Sequence, residues 1–266
     1  MENKLITSLQ GLNALICGST SGIGLSTAKE FANSGINVTL FARNEEKLKN
    51  VIAQLDNSDK QKHRYLVADF NNPINVEKII HSHLKEGYKY HILINNSGGP
   101  KGGNIIDANK SEFIETFNRH LISNHILVQS LFDGMKEVNY GRIINIISTS
   151  VKEPIMGLGV SNTIRGAVAS WAKTLSIEIA QYGITINNIL PGFTDTDRLS
   201  SLIKSKSESN NQSVDLTISN MKNTIPTGRF GLPEETAKAV MFLASPLASY
   251  INGVSLAVDG GRLNSI

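Results

Sequence analysis

The chain has 266 residues, 40% of them hydrophobic and 18% charged, a composition typical of a globular protein rather than a disordered or fibrous one. Its net charge of +3 is spread out with no dense Lys/Arg cluster, so a nucleic acid is not an expected partner. No apolar run reaches the roughly 20 residues of a membrane-spanning helix, so we expect no membrane partner either.

The single cysteine, Cys17, lies in an apolar run, where it is expected to be a small core residue rather than a nucleophile. A lone cysteine forms no disulfide within the chain, and Met1–Lys4 show no signal-peptide pattern. Both observations predict a cytoplasmic location. We expect no metal site.

Strand and helix patterns alternate along the chain. The predicted strands are, in order, 12–17, 36–41, 64–68, 91–94, 142–147, 184–190 and 254–258. The predicted helices are 22–33, 44–55, one beginning at 73, 111–138, 161–181 and 233–244, with Gly183 as a C-cap of the fifth. This alternation predicts an α/β protein with a doubly wound parallel sheet and helices on both faces.

The first predicted strand ends in a glycine-rich turn, Gly18–Gly24, which opens a helix. Glycine lets a ligand approach the main chain, and a helix N-terminus favours a phosphate. The spacing is G-x-x-x-G-x-G, which differs from the commonest dinucleotide motif. The turn is therefore either a tight connection or a phosphate site, and the alternating pattern around it favours the second.

One segment, 195–227, breaks the alternation because it is rich in Ser, Asn and Lys with weak apolar patterning. It follows a strand at the carboxyl edge, where parallel sheets bind ligands. We interpret it as a substrate lid, the alternative being a mobile loop without function.

Several motifs together resemble the short-chain dehydrogenase/reductase family over essentially the full length. They are the turn 18–24, the run Asn95-Asn96-Ser97-Gly98, the strand 141–148, Asn187 with Pro191-Gly192, and the ending 258–261. The chain is most similar to the β-ketoacyl-acyl-carrier-protein reductases, as a divergent member. The resemblance implies a single Rossmann-type domain over 1–266 with about seven strands, a nicotinamide cofactor, and a homotetramer or homodimer.

The residue after the second strand indicates which cofactor is used. A carboxylate there would suit NAD, whereas the cation Arg43 suits the 2′-phosphate of NADP, so NADP(H) is favoured over NAD(H). The alternative is a solvated arginine beside Glu45 or Glu46. By resemblance, Asp69 holds the adenine edge and Thr196 meets the carboxamide. The full set of implied cofactor residues is Gly18, Ser19, Thr20, Ser21, Gly22, Ile23, Gly24, Arg43, Asp69, Phe70, Asn95, Ser97, Gly98, Arg165, Pro191, Gly192 and Thr196.

The catalytic positions depart from the family pattern of Asn, Ser, Tyr and Lys. Aligning the helix through 175–178 places Ser161 at the Tyr position and Arg165 at the Lys position. Ser148 keeps the Ser position, and His120 stands at the Asn position. The candidate catalytic residues are therefore Ser148, Ser161, Arg165 and His120.

A serine hydroxyl is a much weaker acid than a phenol, and a guanidinium stays protonated. Losing a general acid costs roughly 10²–10⁴-fold in rate. Substitute donors within reach are His120, His125 and Lys152, while Ser148 can act as an oxyanion-type donor.

Three readings follow: an oxidoreductase on a small-molecule carbonyl or alcohol of 3-oxoacyl type, a catalytically silent dinucleotide-binding protein that acts as a sensor or oligomer partner, and a non-redox enzyme. The last ranks lowest because the dehalogenating relatives keep the Tyr and lose the nucleotide turn, the reverse of this chain.

Overall fold

The computed structural model describes residues 9–265 and contains one seven-stranded parallel sheet. Its strand order is β3-β2-β1-β4-β5-β6-β7. The strands are β1 (Asn13–Cys17), β2 (Asn37–Ala42), β3 (Arg64–Val67), β4 (Ile92–Asn95), β5 (Gly141–Ile146), β6 (Ile184–Pro191) and β7 (Ser255–Val258). The Rossmann-type, doubly wound sheet predicted from the alternating pattern is confirmed.

Nine α-helices in the described residues cover this sheet. They are α1 (Gly22–Asn33), α2 (Glu45–Ile52), α3 (Pro73–Leu84), α4 (Lys110–Phe117), α5 (Ser123–Glu137), α6 (Gly159–Glu178), α7 (Asp197–Ser209), α8 (Val214–Asn223) and α9 (Pro233–Ala244). The two faces of the sheet bury different helices because alternate strand residues point to opposite sides. Ile16 of β1 packs in the cluster with α1, α2 and α9, whereas Leu15 packs with α3, α5 and α6.

The sheet has its switch point beside β1, which pairs with β2 on one side and with β4 on the other. Crossovers run to opposite faces from this point, so a crevice opens at the carboxyl ends of β1 and β4. The turn Gly18–Gly24 and the loop from Asn96 to Pro100 flank that crevice. The fold thus brings together the two motifs that the sequence separates by about 80 positions.

The predicted helix 111–138 is not continuous. A π-helical turn, Asn118–Ile122, separates α4 from α5, and His120 lies inside it. Such turns are frequent at functional sites because they change the direction in which side chains point. Gly183 is left-handed, at φ 71°, and ends the short helical turn after α6, so its predicted capping role is confirmed in position.

The segment 195–227 is not a loop, contrary to its weak apolar patterning. It forms α7 and α8, whose buried side chains make a small separate cluster with Phe193 and Phe230 beside it. The members that are fully buried are Leu199, Ile203 and Met221. Because so few apolar residues hold two helices together, the sequence pattern alone understates the order of this segment.

In the described part of the chain, no helix is long and apolar enough to cross a membrane. The same residues contain no group of three or more His, Cys, Asp or Glu side chains placed to hold a metal ion. Met1–Lys4, on which the expected location partly rests, lie outside the described residues. Cys17 is buried in β1 as expected, and burial raises the pKa of its thiol.

Candidate active site

The glycine turn is shaped by close backbone contacts. Gly18 has a φ of 58°, and a Cβ placed on it would lie 2.5 Å from the main-chain oxygen of Asn96. The Nδ2 of Asn96 donates hydrogen bonds to the carbonyl oxygens of Cys17 at 3.2 Å and Gly18 at 3.1 Å. Sequence reasoning quoted Asn96 but gave it no role. Its side chain joins the loop after β4 to the turn after β1.

The N-terminus of α1 faces the same turn, and no side chain of its own first turn caps it. Ser21, the N-cap, makes no side-chain capping bond, and the first turn contains no acidic residue. Free main-chain N–H groups and the positive end of the helix dipole fit a phosphate group. Gly24 permits the approach of the two segments, since a Cβ there would lie 2.2 Å from the Gly18 oxygen. These residues fit the pyrophosphate of a dinucleotide.

A cleft of ≈ 290 Å³ opens from this turn along the carboxyl edge of the sheet. Most of the predicted site residues come together in its lining. Those that line it are Gly18, Ser21, Gly22, Ile23, Ser97, Gly98, Ser148, Ser161, Arg165, Pro191, Gly192 and Thr196. The cleft therefore joins the predicted cofactor turn to the predicted catalytic helix.

The remaining predicted residues lie outside that lining. They are Ser19, Thr20, Gly24, Arg43, Asp69, Phe70, Asn95 and His120. Ser19 is fully buried and accepts a hydrogen bond at its Oγ from the Phe41 N–H at 3.2 Å, so its hydroxyl ties the turn to β2. The side chain thus serves the fold, and a contact of Ser19 with the cofactor stays a prediction.

The family resemblance implies Asn95 as a cofactor residue, and in the structure its side chain is buried and hydrogen-bonded inside the sheet. Its Nδ2 donates to Oδ1 of Asn145 at 2.9 Å, and Asn145 donates to Oδ1 of Asn188 at 2.9 Å. This buried amide ladder runs across β4, β5 and β6. The ladder uses the Nδ2 of Asn95, while its Oδ1 is buried without a hydrogen-bond partner among residues 9–265.

Arg43 is exposed directly after β2, where a 2′-phosphate would approach. In the described residues it forms no ion pair, and Glu45 pairs instead with Lys49 at 2.8 Å. An exposed Arg43 without an ion pair is consistent both with the 2′-phosphate role and with the alternative of a solvated arginine beside Glu45 or Glu46. Asp69 accepts a hydrogen bond at Oδ1 from the Asn71 N–H at 2.9 Å, and Phe70 is buried with its ring centroid 5.2 Å from that of Phe41.

On helix α6, the side chains of Ser161 and Arg165 are hydrogen-bonded to each other. The Nε of Arg165 donates to Oγ of Ser161 at 3.3 Å, and its Nη1 donates to the carbonyl oxygen of Ile146 at 3.1 Å. Burial, and then the nearby Arg198 guanidinium, lower the pKa of Arg165 to about 10. Arg165 still carries its charge at neutral pH and places it at the bottom of the cleft.

Ser148 follows β5 and lines the cleft beside that helix. Its Oγ accepts a hydrogen bond from the Ser150 N–H at 3.1 Å. Because this contact uses the oxygen as acceptor, the hydroxyl proton is free to point into the cleft. The arrangement suits a donor to a substrate carbonyl oxygen.

His120 does not reach the cleft. It is 4% exposed, its Nδ1 lies 2.8 Å from Oγ of Ser97, and its Nε2 has no hydrogen-bond partner among residues 9–265. Burial, then Arg165 and Arg119, lower the pKa of His120 well below its usual value. The imidazole therefore lies behind Ser97 without direct access to the cleft, and its catalytic role stays a prediction.

The other two substitute donors are also poorly placed. The Nδ1 of His125 accepts a hydrogen bond from Nε1 of Trp171 at 3.3 Å, and Lys152 is exposed; neither residue lines the cleft. Sequence reasoning did not single out two residues that do line it, Arg198 and Arg262. The only signal for them was position: Arg198 follows Pro191-Gly192 and Arg262 follows the ending 258–261, two motifs of the family resemblance.

Comparison with known proteins agrees with this geometry. The profile of the family described as enoyl-(acyl carrier protein) reductase matches residues 18–262. The chain belongs to the short-chain dehydrogenase/reductase family. Reductases of this family bind a nicotinamide cofactor, and the turn Gly18–Gly24 has the shape to receive its pyrophosphate.

Individual relatives cover almost the whole chain. The 3-oxoacyl-[acyl-carrier-protein] reductase of Rickettsia bellii is 32% identical over 255 residues, which are 96% of this chain and 98% of that protein. The NADPH-dependent reductase BacG of Bacillus subtilis is 28% identical over 95% of this chain and 98% of its own length. The crystal structure of L-sorbose reductase from Gluconobacter frateurii with NADPH and L-sorbose is 27% identical and superposes with a TM-score of 0.90, covering 97% of this chain and 99% of that one.

Proposed function

We propose that this protein is an NADP(H)-dependent oxidoreductase that acts on a carbonyl or alcohol of 3-oxoacyl type. The observation that carries the proposal is the single cleft that joins the pyrophosphate-shaped turn after β1 to Ser148 and Arg165. Its similarity to ketoacyl reductases supports the reaction class. The protein would work in the cytoplasm as a homotetramer or homodimer, as the resemblance implies.

The preference for NADP(H) rests on Arg43. This side chain is exposed, unpaired with any carboxylate of residues 9–265, and next to the end of β2. A planar guanidinium binds a phosphate through two parallel hydrogen bonds. Relatives described as NADPH-dependent support the same preference.

The chemistry divides between the cofactor and the chain. A bound nicotinamide supplies or accepts the hydride. Ser148 donates a hydrogen bond to the substrate oxygen, and Arg165 stabilises the negative charge that develops there, since both line the cleft and one carries a permanent charge. Arg165 would also bind the nicotinamide ribose, in place of the family's Lys.

The step with the weakest support from side chains is proton transfer. Among the described residues, the titratable groups that line the cleft are Arg165, Asp197, Arg198 and Arg262, with no phenol, imidazole or lysine. Ser161 accepts a hydrogen bond from Arg165 and is too weak an acid to replace the phenol. The proton would come from water in the cleft, and turnover would be slow.

The same observation favours a second function. A protein with an intact cofactor turn and no general acid could bind the dinucleotide without turnover, as a sensor or an oligomer partner. The two functions make different predictions for one experiment. Titration with NADPH and with NADH is followed by a screen of ketones with NADPH and alcohols with NADP⁺.

NADPH binding with slow turnover of any member of the screen supports the oxidoreductase. NADPH binding with no turnover across the screen supports the silent binding protein. Absence of binding to either cofactor would contradict both.

A further inference from the structure

The cleft holds a concentration of positive charge that the proposed reaction does not use. Arg165, Arg198 and Arg262 all line it, against one carboxylate, that of Asp197. Within residues 9–265, none of the three arginines has a carboxylate oxygen within 4.0 Å. Like charges in a partly enclosed site repel each other, so such a site favours an anion.

Arg165 and Arg198 both direct their guanidinium groups toward Gly99. A Cβ added to Gly99 would lie 3.5 Å from Nη2 of Arg165 and 3.5 Å from Nη2 of Arg198. Their proximity also shows in the pKa of Arg165, which the charge of Arg198 lowers in addition to burial. The glycine leaves open the space between the two guanidinium groups.

Both groups are held in position while keeping donors free. The Nη2 of Arg198 donates to the carbonyl oxygen of Pro100 at 2.6 Å, and Arg165 uses its Nε and Nη1 on α6 and β5. Nε of Arg198 and Nη2 of Arg165 make no hydrogen bond to the described residues. A guanidinium fixed on one edge presents its other N–H groups in the spacing of a carboxylate.

We propose that the substrate carries a carboxylate, which Arg198 binds beside Arg165 above Gly99. The substrate class is then the oxo acids or hydroxy acids rather than neutral esters or sugars. This inference rests on the proposed oxidoreductase function and specifies its substrate. The competing occupant is the cofactor's pyrophosphate, for which the N-terminus of α1 is the other candidate site in the cleft.

The test compares acids with their methyl esters: acetoacetate and 4-oxopentanoate, each with its ester, in the presence of NADPH. The parent is expected to reduce the acids with the higher kcat/KM. Arg198→Gln should raise KM for the acids roughly 10- to 100-fold, the range for a hydrogen bond to a charged group, and leave the esters unchanged. Arg198→Lys should restore part of the loss, and Arg262→Gln reports whether the third arginine contributes.

Arg43→Ala is the matched control, an exposed arginine at the far end of the cofactor site. It should lower NADPH affinity without changing the ratio of acid to ester, whereas Arg198→Gln should change the ratio without changing NADPH affinity. An equal loss for acids and esters in Arg198→Gln overturns the proposal. So does a loss of NADPH affinity at a constant ratio, which would assign Arg198 to the cofactor.

A second readout does not need turnover. Calorimetry measures the binding of 4-oxopentanoate to the protein saturated with NADP⁺, where the keto acid cannot react. Binding that Arg198→Gln weakens supports the carboxylate site even if no substrate is reduced, in which case the proposed oxidoreductase function fails alone. Turnover of esters and acids alike, with no binding preference for acids, overturns the carboxylate site alone.

Discussion

The two ends of the cleft differ in what forms them: backbone shape at the glycine turn, and polar side chains at α6. At the turn after β1, the shape comes from close backbone contacts: Gly18 is left-handed, and Gly24 lies against the Gly18 oxygen. The Asn96 side chain donates hydrogen bonds to the carbonyl oxygens of Cys17 and Gly18. At the helix α6, the proposed function depends on side-chain chemistry: we propose that Ser161 and Arg165, which are hydrogen-bonded to each other, stand where the family resemblance implies a phenol and an ammonium. Cofactor binding and proton transfer are therefore separable in this proposal. The shape of the glycine turn does not depend on the acidity of the side chains on α6.

The largest effect is expected from restoring the acid. Ser161→Tyr combined with Arg165→Lys should raise ketone reduction by roughly 10²–10⁴-fold, since a phenol beside a cation is a competent general acid. The measurement is NADPH oxidation at saturating cofactor. Ser161→Phe with Arg165→Lys is the control, because it fills the same volume without a hydroxyl.

Equal activity of the Phe and Tyr variants would show that the ring, not the acid, was missing. Fast ketone reduction by the parent protein would contradict the proposal that the cleft lacks a general acid. His120 and Lys152 would then be mutated next, although neither lines the cleft.

The cofactor end is tested by Arg43→Ala. NADPH binding should weaken by roughly 1–3 kcal/mol, the scale of a hydrogen bond to a charged group, while NADH binding stays nearly unchanged. Fluorescence titration of both cofactors measures the difference. Lys47→Ala, which removes an exposed cation from the first turn of α2, is the matched control. An equal loss for NADH and NADPH would remove the 2′-phosphate role.

A smaller effect, on the pH dependence of stability, is expected from the buried imidazole of His120. The pKa of His120 is lowered in the folded protein, so the unfolded chain takes up a proton that the native state excludes. His120 therefore costs stability as the pH falls below its usual value of 6.5, by about 1.4 kcal/mol per pH unit until the native pKa is reached.

Urea unfolding from about pH 5 to pH 7.5 should show a shallower fall for His120→Asn than for the parent. The comparison uses the slope rather than the overall stability, because the amide also changes packing beside Ser97. His83 and His91, whose pKa values burial also lowers, are common to both proteins and cancel. Parallel curves would mean that His120 takes up a proton in the native state.

The smallest change is expected in the mobility of the segment 195–227. Its helices α7 and α8 share a cluster of three buried residues that is separate from the two large clusters on the sheet. Few buried contacts give a low free energy of local opening. Hydrogen exchange should be fastest here among the internal segments and should slow when NADPH and substrate bind. Strong protection of the free protein would argue against a lid.

Several features of the fold were predictable from the sequence because they depend on neighbours in the chain. The run Ala14–Gly24 combines a strand, a glycine turn and a helix start, and Gly183 marks a helix end; the structure has each in place. The segment 195–227 was less predictable, since two short helices with three fully buried side chains leave little periodic signal. The π-helical turn at His120 was missed because it lies within a continuous helical pattern.

What the sequence by itself determined is the alternation of strands and helices, and with it the sheet and the glycine turn. The assignment of Ser161 and Arg165 to the catalytic positions on α6 stays a prediction. Periodicity and glycine placement are local properties, so they can be read without coordinates. Only the tertiary structure decided that Asn95 turns into the sheet, that His120 lies behind Ser97, and that Arg198 faces Arg165. Those positions depend on contacts between residues 23 to 98 positions apart, whose directions no local pattern records.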